Sequence, residues 1–463
     1  MTKIPRMLIR PFPYRDALAC FEAFAEDARA VFLDSAAPHG GKGRYSYIAT
    51  DPYRVIEAKG NAVFIDGKTV SLDVFAALEQ ELKKYKTDLT DAPVPFIGGA
   101  IGYLGYELGR ALERLPEPKL DGIDLPQMVI GLYGVVIAFD HQQKKGWIIG
   151  HDWPEMDVGA RIETIEKKLS AAPPGPSPPD WNAHGVWKAD LDRADIEQRI
   201  ACIVEYIHAG DIFQANFTQR FQAKRPEGLS DFTLYKRLRA INPAPFAAFM
   251  RCGENLSVAG ASPELFLRLH ADGVVEAHPI KGTRPRADDK GVDKKLADQL
   301  LGSEKDRAEN LMIVDLMRSD LGRVCETGSI HVPQLCELES FTSVHHLTSV
   351  IMGKLRRDAG PIDLLRACFP GGSITGAPKI RAMEIIHELE TAPRGVYCGC
   401  LGWIGFDGAM DMSMTIRTLT IAGDTILAQA GGGIVADSDP AAEYEESMTK
   451  IAPLLRAVTG DGR

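Results

Sequence analysis

A lysine and a glutamate on either side of one short turn are the residues of this chain with the clearest chemical potential. The Asp-Gly pair at 272–273 separates two segments of alternating apolar residues, a pattern typical of a two-residue type I′ hairpin. That register places Lys281 directly opposite Glu264, with Cβ atoms roughly 5 Å apart. An amine and a carboxyl held so close could act as nucleophile and proton donor. From spacing alone, a cross-strand ion pair is the plainer interpretation.

Glu309 lies on a helix predicted over about 305–321 and shares one face with Ile313 and Leu316. A carboxylate on a partly apolar face needs a cation, a metal ion or hydrogen-bond donors, because burying it bare is costly. The sequence leaves a structural ion pair and a metal ligand equally open for Glu309.

A last helix is predicted to begin near Ala441, and Glu443, Glu446 and Lys450 stack on one side of it. Taken alone, this stripe is best interpreted as a solvated face with an ordinary Glu446–Lys450 pair. In the functional interpretation, Glu446 and Glu309 share a divalent cation and Lys450 faces an anionic substrate.

Glycine-rich loops invite a nucleotide-binding interpretation that their details reject. Residues 371–379 have Walker-A glycine spacing, but Ala377 stands where the lysine should be and Pro378 lacks an N–H. The runs at 431–433 and 98–102 do not fit G-x-G-x-x-G. These glycines indicate tight turns, or backbone that approaches a carboxylate closely.

Arginine and histidine add two further candidates. Arg417 lies in a predicted alternating strand, where an arginine is usually exposed and paired, but a pocket-facing guanidinium would suit a carboxylate. The pair at 345–346 accompanies no H-E-x-x-H motif, so histidine alone indicates no catalytic class.

Composition excludes several classes of protein. The 463 residues are 45% hydrophobic and 25% charged, as in globular proteins, and the formal charge of −10 argues against a general nucleic-acid or membrane surface. The first six residues lead into no signal-length apolar run, and no stretch of transmembrane length follows, which predicts a cytoplasmic protein. Eight scattered cysteines predict reduced, mostly buried thiols.

The clearest boundary is a proline-rich segment at 171–187, which cannot form a regular helix or a central strand. It predicts an N-terminal region at 1–170 and a C-terminal region at 188–463. Strands in hairpins separated by helices, without regular βα alternation, predict an α+β fold.

Several motifs in order resemble those of the chorismate-utilising enzymes, and in particular the branch that forms 4-amino-4-deoxychorismate. The resemblance covers the whole region after the linker and, more weakly, the part before it. The motifs are GDIFQ at 210–214, SPE at 262–264, PIKGT at 279–283, DRAENLM at 306–312, FPGGSITGAPK at 369–379, IRT at 416–418, GGGIVADS at 431–438 and EY at 443–444.

The resemblance implies one pocket for chorismate and Mg²⁺ within a composite sandwich of two large face-to-face β-sheets, with helices on the outside. Glu309 and Glu446 would hold the metal, Lys281, Glu264 and His346 would be catalytic, and further residues would contact substrate. These further residues are Gln214, Gly282, Thr283, Thr375, Tyr397, Arg417, Gly431, Gly432, Gly433, Glu443 and Lys450.

The resemblance also implies which nucleophile attacks. Isochorismate- and salicylate-forming relatives carry a water-activating lysine where this chain has Gln214, and anthranilate synthases carry a small residue in place of Lys281. In the aminodeoxychorismate branch that lysine is proposed to attack C2 while Glu264 protonates the departing 4-hydroxyl, after which ammonia adds at C4. Neutral acid with neutral amine would be the productive form of the pair.

Ammonia would come from a separate glutamine amidotransferase, because no glutaminase-like motif is visible. The last predicted helix leaves no room for a fused lyase, so the product would leave as aminodeoxychorismate rather than para-aminobenzoate. Segments 32–35, 44–47 and 242–246 resemble the family's tryptophan pocket, with Ser35, Tyr45, Ser46 and Pro243 as candidate contacts. Asp34 stands where the family more often has glutamate, and Ser319 where it has asparagine.

Two alternatives remain open from the sequence. The chain could be an anthranilate synthase component I, which Lys281 opposes. It could instead be a non-catalytic, tryptophan-binding regulatory subunit, which the retained glutamates, Arg417 and Lys450 oppose.

Overall fold

The computed structural model describes residues 7–37, 42–87, 92–153, 156–341 and 344–460. Residues 1–6, which enter the prediction of a cytoplasmic protein, lie outside the described residues. None of the described helices is long and apolar enough to cross a membrane.

Ten α-helices and twenty-four strands are present among the described residues. The helices are α1 (Ala17–Glu22), α2 (Val74–Lys84), α3 (Val158–Ala171), α4 (Arg193–His208), α5 (Asp231–Ile241), α6 (Lys290–Leu301), α7 (Glu304–Gly322), α8 (Pro361–Cys368), α9 (Lys379–Leu389) and α10 (Pro440–Thr459). The strands before α3 are β1 (Met7–Pro13), β2 (Val31–Asp34), β3 (Tyr45–Ala49), β4 (Arg54–Lys59), β5 (Ala62–Ile65), β6 (Lys68–Val70), β7 (Gly99–Leu104), β8 (Met128–Tyr133), β9 (Val135–Asp140) and β10 (Lys145–His151). The later strands are β11 (Trp187–Ala189), β12 (Gln214–Lys224), β13 (Phe246–Arg251), β14 (Leu256–Ser262), β15 (Leu265–Leu269), β16 (Val274–Ala277), β17 (Ile280–Pro285), β18 (His331–Ser340), β19 (Val344–Lys354), β20 (Gly376–Ala377), β21 (Cys400–Gly405), β22 (Met410–Met414), β23 (Thr418–Ala422) and β24 (Thr425–Ile434).

The strands form two twelve-stranded antiparallel sheets. The first runs β1-β10-β9-β3-β2-β13-β14-β23-β24-β12-β11, with β20 beside β12. The second runs β17-β19-β16-β15-β22-β21-β7-β8-β4-β5-β6, with β18 beside β19. This architecture confirms the predicted α+β sandwich.

The apolar residues are arranged in layers. One buried cluster fills the space between the sheets, with Val31 and Met250 from the first sheet meeting Tyr103 and Trp403 from the second. Helices α5 and α10 cover the outer face of the first sheet, and α7 and α8 cover that of the second. The sheets therefore pack face to face with helices outside, because each sheet buries apolar side chains on both faces.

The proline-rich segment contains no helix or strand between 172 and 186. Strands from both sides of it pair within each sheet, since β2 pairs with β13 and β7 pairs with β21. The division of the chain into two regions at 170 and 188 stays a prediction. Both regions contribute strands to both sheets.

The hairpin next to the candidate site differs from its predicted register by one residue. Arg268 pairs with Glu276, and the turn contains three residues, ending on Gly273 at φ +86°. A three-residue turn with glycine in the left-handed region is the next most common hairpin after the two-residue type, and Asp-Gly is compatible with both. The predicted two-residue turn is therefore wrong.

Lys281 does not lie on the hairpin at all. β16 ends at Ala277, and the next strand, β17, pairs with β19 so that Lys281 faces Leu347. The prediction that Lys281 directly opposes Glu264 across a ladder is therefore wrong. β17 nevertheless returns to the end of β14, where Glu264 lies.

Arg417 also differs from its prediction, because it lies in the connection between β22 and β23 rather than in a strand. Its φ of +53° is a left-handed conformation, which is uncommon for arginine. This turn redirects the chain from the second sheet to the first. The sequence predicted one continuous strand here because the residues on both sides of the turn alternate.

Candidate active site

A cavity of about 240 Å³ opens where β12 and β24 of the first sheet approach β17 and β19 of the second. Helices α7 and α10 complete its wall. Thirteen of the predicted residues line it: Glu264, Lys281, Gly282, Thr283, Glu309, His346, Tyr397, Arg417, Gly431, Gly433, Glu443, Glu446 and Lys450. The structure thus brings together residues that are far apart in the chain.

Glu264 lies two residues after the end of β14 and is buried. Burial raises the pKa of its carboxyl to about 7, while the Ser373 hydroxyl and nearby Lys281 oppose that rise. The Ser373 Oγ donates to Glu264 Oε1 at 2.6 Å. A carboxyl with this pKa can carry a proton at neutral pH and give it up, as a general acid requires.

Lys281 is buried on β17, and burial lowers the pKa of its ammonium group. Glu309 and Glu264 act in the opposite direction, whereas Lys450 lowers the pKa further. Burial therefore favours the neutral forms of both Lys281 and Glu264, which is the combination needed for an amine nucleophile beside an acid.

Gln214 and Lys281 converge on the backbone of Gly433. A Cβ at Gly433 would clash with Gln214 Nε2 and lie 2.9 Å from Lys281 Nζ. The Gln214 amide is buried, and neither its oxygen nor its nitrogen has a partner among the described groups. Glycine at 433 thus leaves room for two polar side chains at one point.

Replacing Gly433 with alanine should therefore displace both side chains without unfolding the protein, because the clashing atoms are the ends of side chains. We expect kcat/KM to fall by about 10²-fold, the cost of a misplacement near 1 Å. The measurement is steady-state kinetics alongside thermal unfolding.

Gly322→Ala is the matched control, since a Cβ there meets no atom within 4 Å. Unchanged kinetics for Gly433→Ala would contradict the close approach of Lys281 to this backbone.

His346 lies on β19 with its Nδ1 2.9 Å from the Thr283 hydroxyl. Burial and then Arg417 lower the pKa of the imidazole to about 4. The ring is therefore neutral at physiological pH, and it can orient a ligand by hydrogen bonding without adding charge.

Carboxylates from two helices, α7 and α10, line the same cavity. Glu443 Oε2 and Glu446 Oε1 lie 3.2 and 3.9 Å from the position of a Cβ at Gly432. Burial raises the pKa of Glu309 on α7, against the effect of Lys281 and Lys305. Glycine at 432 leaves open the space on which the two carboxylates of α10 converge.

This set of oxygen donors fits Mg²⁺, which favours one or two carboxylates together with ligand oxygens and water. Within the described ranges, no three His, Cys, Asp or Glu side chains are grouped closely enough to hold a metal ion alone. Substrate oxygens and water would therefore have to complete the coordination shell.

Three predicted residues lie at the edge of the cavity rather than on its wall. Gln214 is behind Gly433, and Gly432 faces the α10 carboxylates. Thr375 is fully buried, and its hydroxyl donates to the Gly371 carbonyl at 2.9 Å. A substrate contact by Thr375 stays a prediction.

Sequence reasoning missed Ser373 and Lys305. Ser373 lies inside the 369–379 motif and donates to Glu264. Lys305 lies in the first turn of α7, and its Nζ donates to Glu443 Oε1 at 2.8 Å. Both lie within or beside quoted motifs, but nothing in their spacing indicates partners more than 100 residues away.

A second cavity of about 620 Å³ lies between β2, β3 and β13 of the first sheet and β15, β21 and β22 of the second. Ser35 and Tyr45 line it, as predicted for a tryptophan pocket, together with Asp34 and Phe246. Ser46 lies just behind the wall and accepts from the Ser35 N–H at 3.0 Å. Pro243 is not among the lining residues, and Pro245 takes its place.

Comparison with known proteins gives consistent results. The sequence model of chorismate binding enzymes matches residues 29–456. Aminodeoxychorismate synthase component 1 of Klebsiella aerogenes is 39% identical over 97% of this chain and 98% of its own length. Anthranilate synthase component 1 of Thermus thermophilus is 38% identical over 94% of this chain and 93% of its own. The crystal structure of anthranilate synthase component I from Streptococcus pneumoniae superposes with a TM-score of 0.80 at 33% identity, covering 89% of this chain and 92% of that one.

Proposed function

The chain belongs to the family of chorismate-binding enzymes, and on this premise we propose that it aminates chorismate at C4 to give 4-amino-4-deoxychorismate. This product leads to para-aminobenzoate and folate. The observation that carries the proposal is the buried Lys281 in one cavity with the buried, readily protonated Glu264.

Overall identity separates the two candidate activities poorly, since component 1 relatives of the aminodeoxychorismate branch are 39–43% identical to the chain and those of anthranilate synthase are 36–38% identical. The amine at position 281 separates them by chemistry. A small residue there could not attack the ring, whereas a desolvated lysine amine can. Lys281 therefore favours amination at C4 over anthranilate formation.

The proposed reaction balances without an additional reagent. Neutral Lys281 Nζ forms a bond to C2 as the C4–O bond breaks, and the Glu264 proton leaves with the hydroxyl as water. Ammonia then forms the C4–N bond and expels the lysine as a neutral amine. The Glu264 carboxylate takes a proton from the new ammonium group, which restores both side chains.

Gln214 supports ammonia rather than water as the external nucleophile. An amide has no basic site able to deprotonate water at neutral pH, and this one lies beside Lys281. Ammonia needs no such base.

The remaining groups would bind the substrate. Arg417 and Lys450 line the cavity as partners for carboxylates, and neutral His346 and Tyr397 would flank the ring. We assign Glu309 and Glu446 to Mg²⁺, which supplies positive charge for the ring carboxylate when it is bound.

Ammonia would be delivered by a separate glutamine amidotransferase subunit, as the designation component 1 of the relatives suggests. We propose that the enzyme acts in the cytoplasm.

We also propose that the 620 Å³ cavity binds tryptophan. Tyr45 and Phe246 offer aromatic walls, and the buried Asp34 Oδ1 has no partner among the described groups, so it could accept from an ammonium group. Calorimetric titration with L-tryptophan tests this site. Equal affinity in an Asp34→Asn variant would contradict the assigned contact.

The function is tested by incubating the protein with chorismate, Mg²⁺ and ammonium and identifying the product by mass. We expect aminodeoxychorismate. Anthranilate would support the alternative branch, and the absence of turnover would support a regulatory subunit.

A further inference from the structure

Two lysines of the candidate active site are already paired with the carboxylates of α10. Lys305 Nζ lies 2.8 Å from Glu443 Oε1, and Lys450 Nζ lies 2.6 Å from Glu446 Oε1. Lys450 was expected to face an anionic substrate, whereas Lys305 has no assigned role. A divalent cation would compete with these lysines for the glutamates, and a substrate carboxylate would compete with the glutamates for the lysines.

We propose that Lys305 holds Glu443 in the substrate-free site and exchanges it for a carboxylate of the substrate, so that the dianionic substrate and the divalent cation bind with positive coupling. This inference rests on the proposed function. It adds a substrate-binding residue and a thermodynamic link between the two ligands.

The charge balance of the cavity is the first reason. Glu264, Glu309, Glu443 and Glu446 face Lys281, Lys305, Lys450 and Arg417, so the lining is close to neutral before any ligand binds. A divalent cation alone adds two positive charges beside paired lysines, and a dicarboxylate alone adds two negative charges beside paired glutamates. Both ligands together restore neutrality, and charge interactions in a partly buried site are strong.

The geometry of Glu443 is the second reason. Its side chain is only 5% exposed, and Oε1 also accepts from the Ser438 hydroxyl at 2.7 Å. Oε2 is on the Gly432 side, 3.2 Å from the position of a Cβ there. A buried carboxylate that loses its cation must find another one, because an unpaired buried charge is costly. A divalent cation held by Glu309 and Glu446 in the same cavity would supply positive charge near Glu443 once Lys305 has moved.

The mobility of Lys305 is the third reason. Its side chain is 42% exposed, and the four-carbon stem carries a point charge without a fixed orientation. Lys305 can therefore turn from Glu443 toward a ligand in the same cavity without rearranging α7.

Isothermal titration of the protein with MgCl₂, with and without saturating chorismate and with no ammonia source, measures the coupling. In the native protein we expect chorismate to tighten Mg²⁺ binding by on the order of 10-fold, and Mg²⁺ to tighten chorismate binding equally. In Lys305→Met we expect Mg²⁺ alone to bind more tightly, chorismate to bind more weakly, and the coupling to fall severalfold.

Lys305→Arg should keep the coupling, because it keeps the charge. Lys294→Met is the matched control, since Lys294 forms an exposed pair with Asp298 at 2.5 Å on the neighbouring helix. It should match the native protein in every titration.

Two results would overturn the inference in different ways. If chorismate and Mg²⁺ bind the native protein independently, or if Lys305→Met keeps the native coupling, the role of Lys305 is wrong and the proposed function stands. If chorismate fails to bind with Mg²⁺ present, the proposed function fails and this inference fails with it.

Discussion

Lys281→Ala should lose ammonia-dependent synthesis of aminodeoxychorismate by at least ~10³-fold, because the variant lacks the nucleophile that opens the reaction. The wild-type lysine is buried, and burial favours its neutral, nucleophilic form. Any residual product should shift toward anthranilate, since alanine leaves C2 open to ammonia. Initial rates with chorismate, Mg²⁺ and ammonium, with products identified by mass, measure both effects.

Lys281→Arg distinguishes nucleophilicity from charge. A guanidinium keeps the positive charge but stays protonated, so this variant should be as inactive as the alanine variant. Lys188→Ala, at an exposed position on β11, should keep the native rate. Full synthesis of aminodeoxychorismate by Lys281→Ala would show that Lys281 only binds substrate.

Glu264→Gln should lower kcat/KM by about 10²–10⁴-fold, the usual contribution of a positioned acid. The amide has nearly the same shape and can still accept from Ser373, so the loss would reflect the missing proton. Hydroxide is a poor leaving group, so its departure needs help from a general acid.

The pH dependence gives a second, independent sign of the same role. Because burial raises the pKa of Glu264 to about 7, its acid form declines as pH rises through that value, and native kcat/KM should decline with it. The residual activity of Glu264→Gln should lack this decline. Glu337→Gln, an exposed change on β18, serves as the control. A decline near pH 7 that persists in Glu264→Gln would assign it to another group.

The sequence predicted the helices near the site well, because their signals are local. Helix α7 was predicted over about 305–321 and runs Glu304–Gly322, and α10 was predicted to begin near Ala441 and begins at Pro440. The Glu446–Lys450 pair also forms at one helical turn, as their spacing predicts. For the two helices and for this pair, the periodicity of a single segment is enough to predict the structure.

Longer-range features could not be obtained in this way. The pairing of β17 with β19 depends on which of many apolar strands is adjacent in the sheet, and a hairpin count cannot supply it. The left-handed turn at Arg417 likewise arises from the passage between sheets. The residues of the site could be collected only through the resemblance, whose ordered motifs carry information about distant contacts.

The way the two regions share both sheets sets the order in which this chain can fold. Strand β7 pairs with β21, so Leu104 can pair only after Cys400 has been synthesised, and β2 can pair with β13 only after β13 has been made. Such distant pairing slows folding, because a long loop must close before the contacts form. During synthesis on the ribosome, the edges of β2 and β7 emerge long before their partners, and unpaired edges are prone to wrong pairing. The architecture that assembles the active site at the junction of the sheets thus also leaves strand edges of the nascent chain unpaired until its last strands are made.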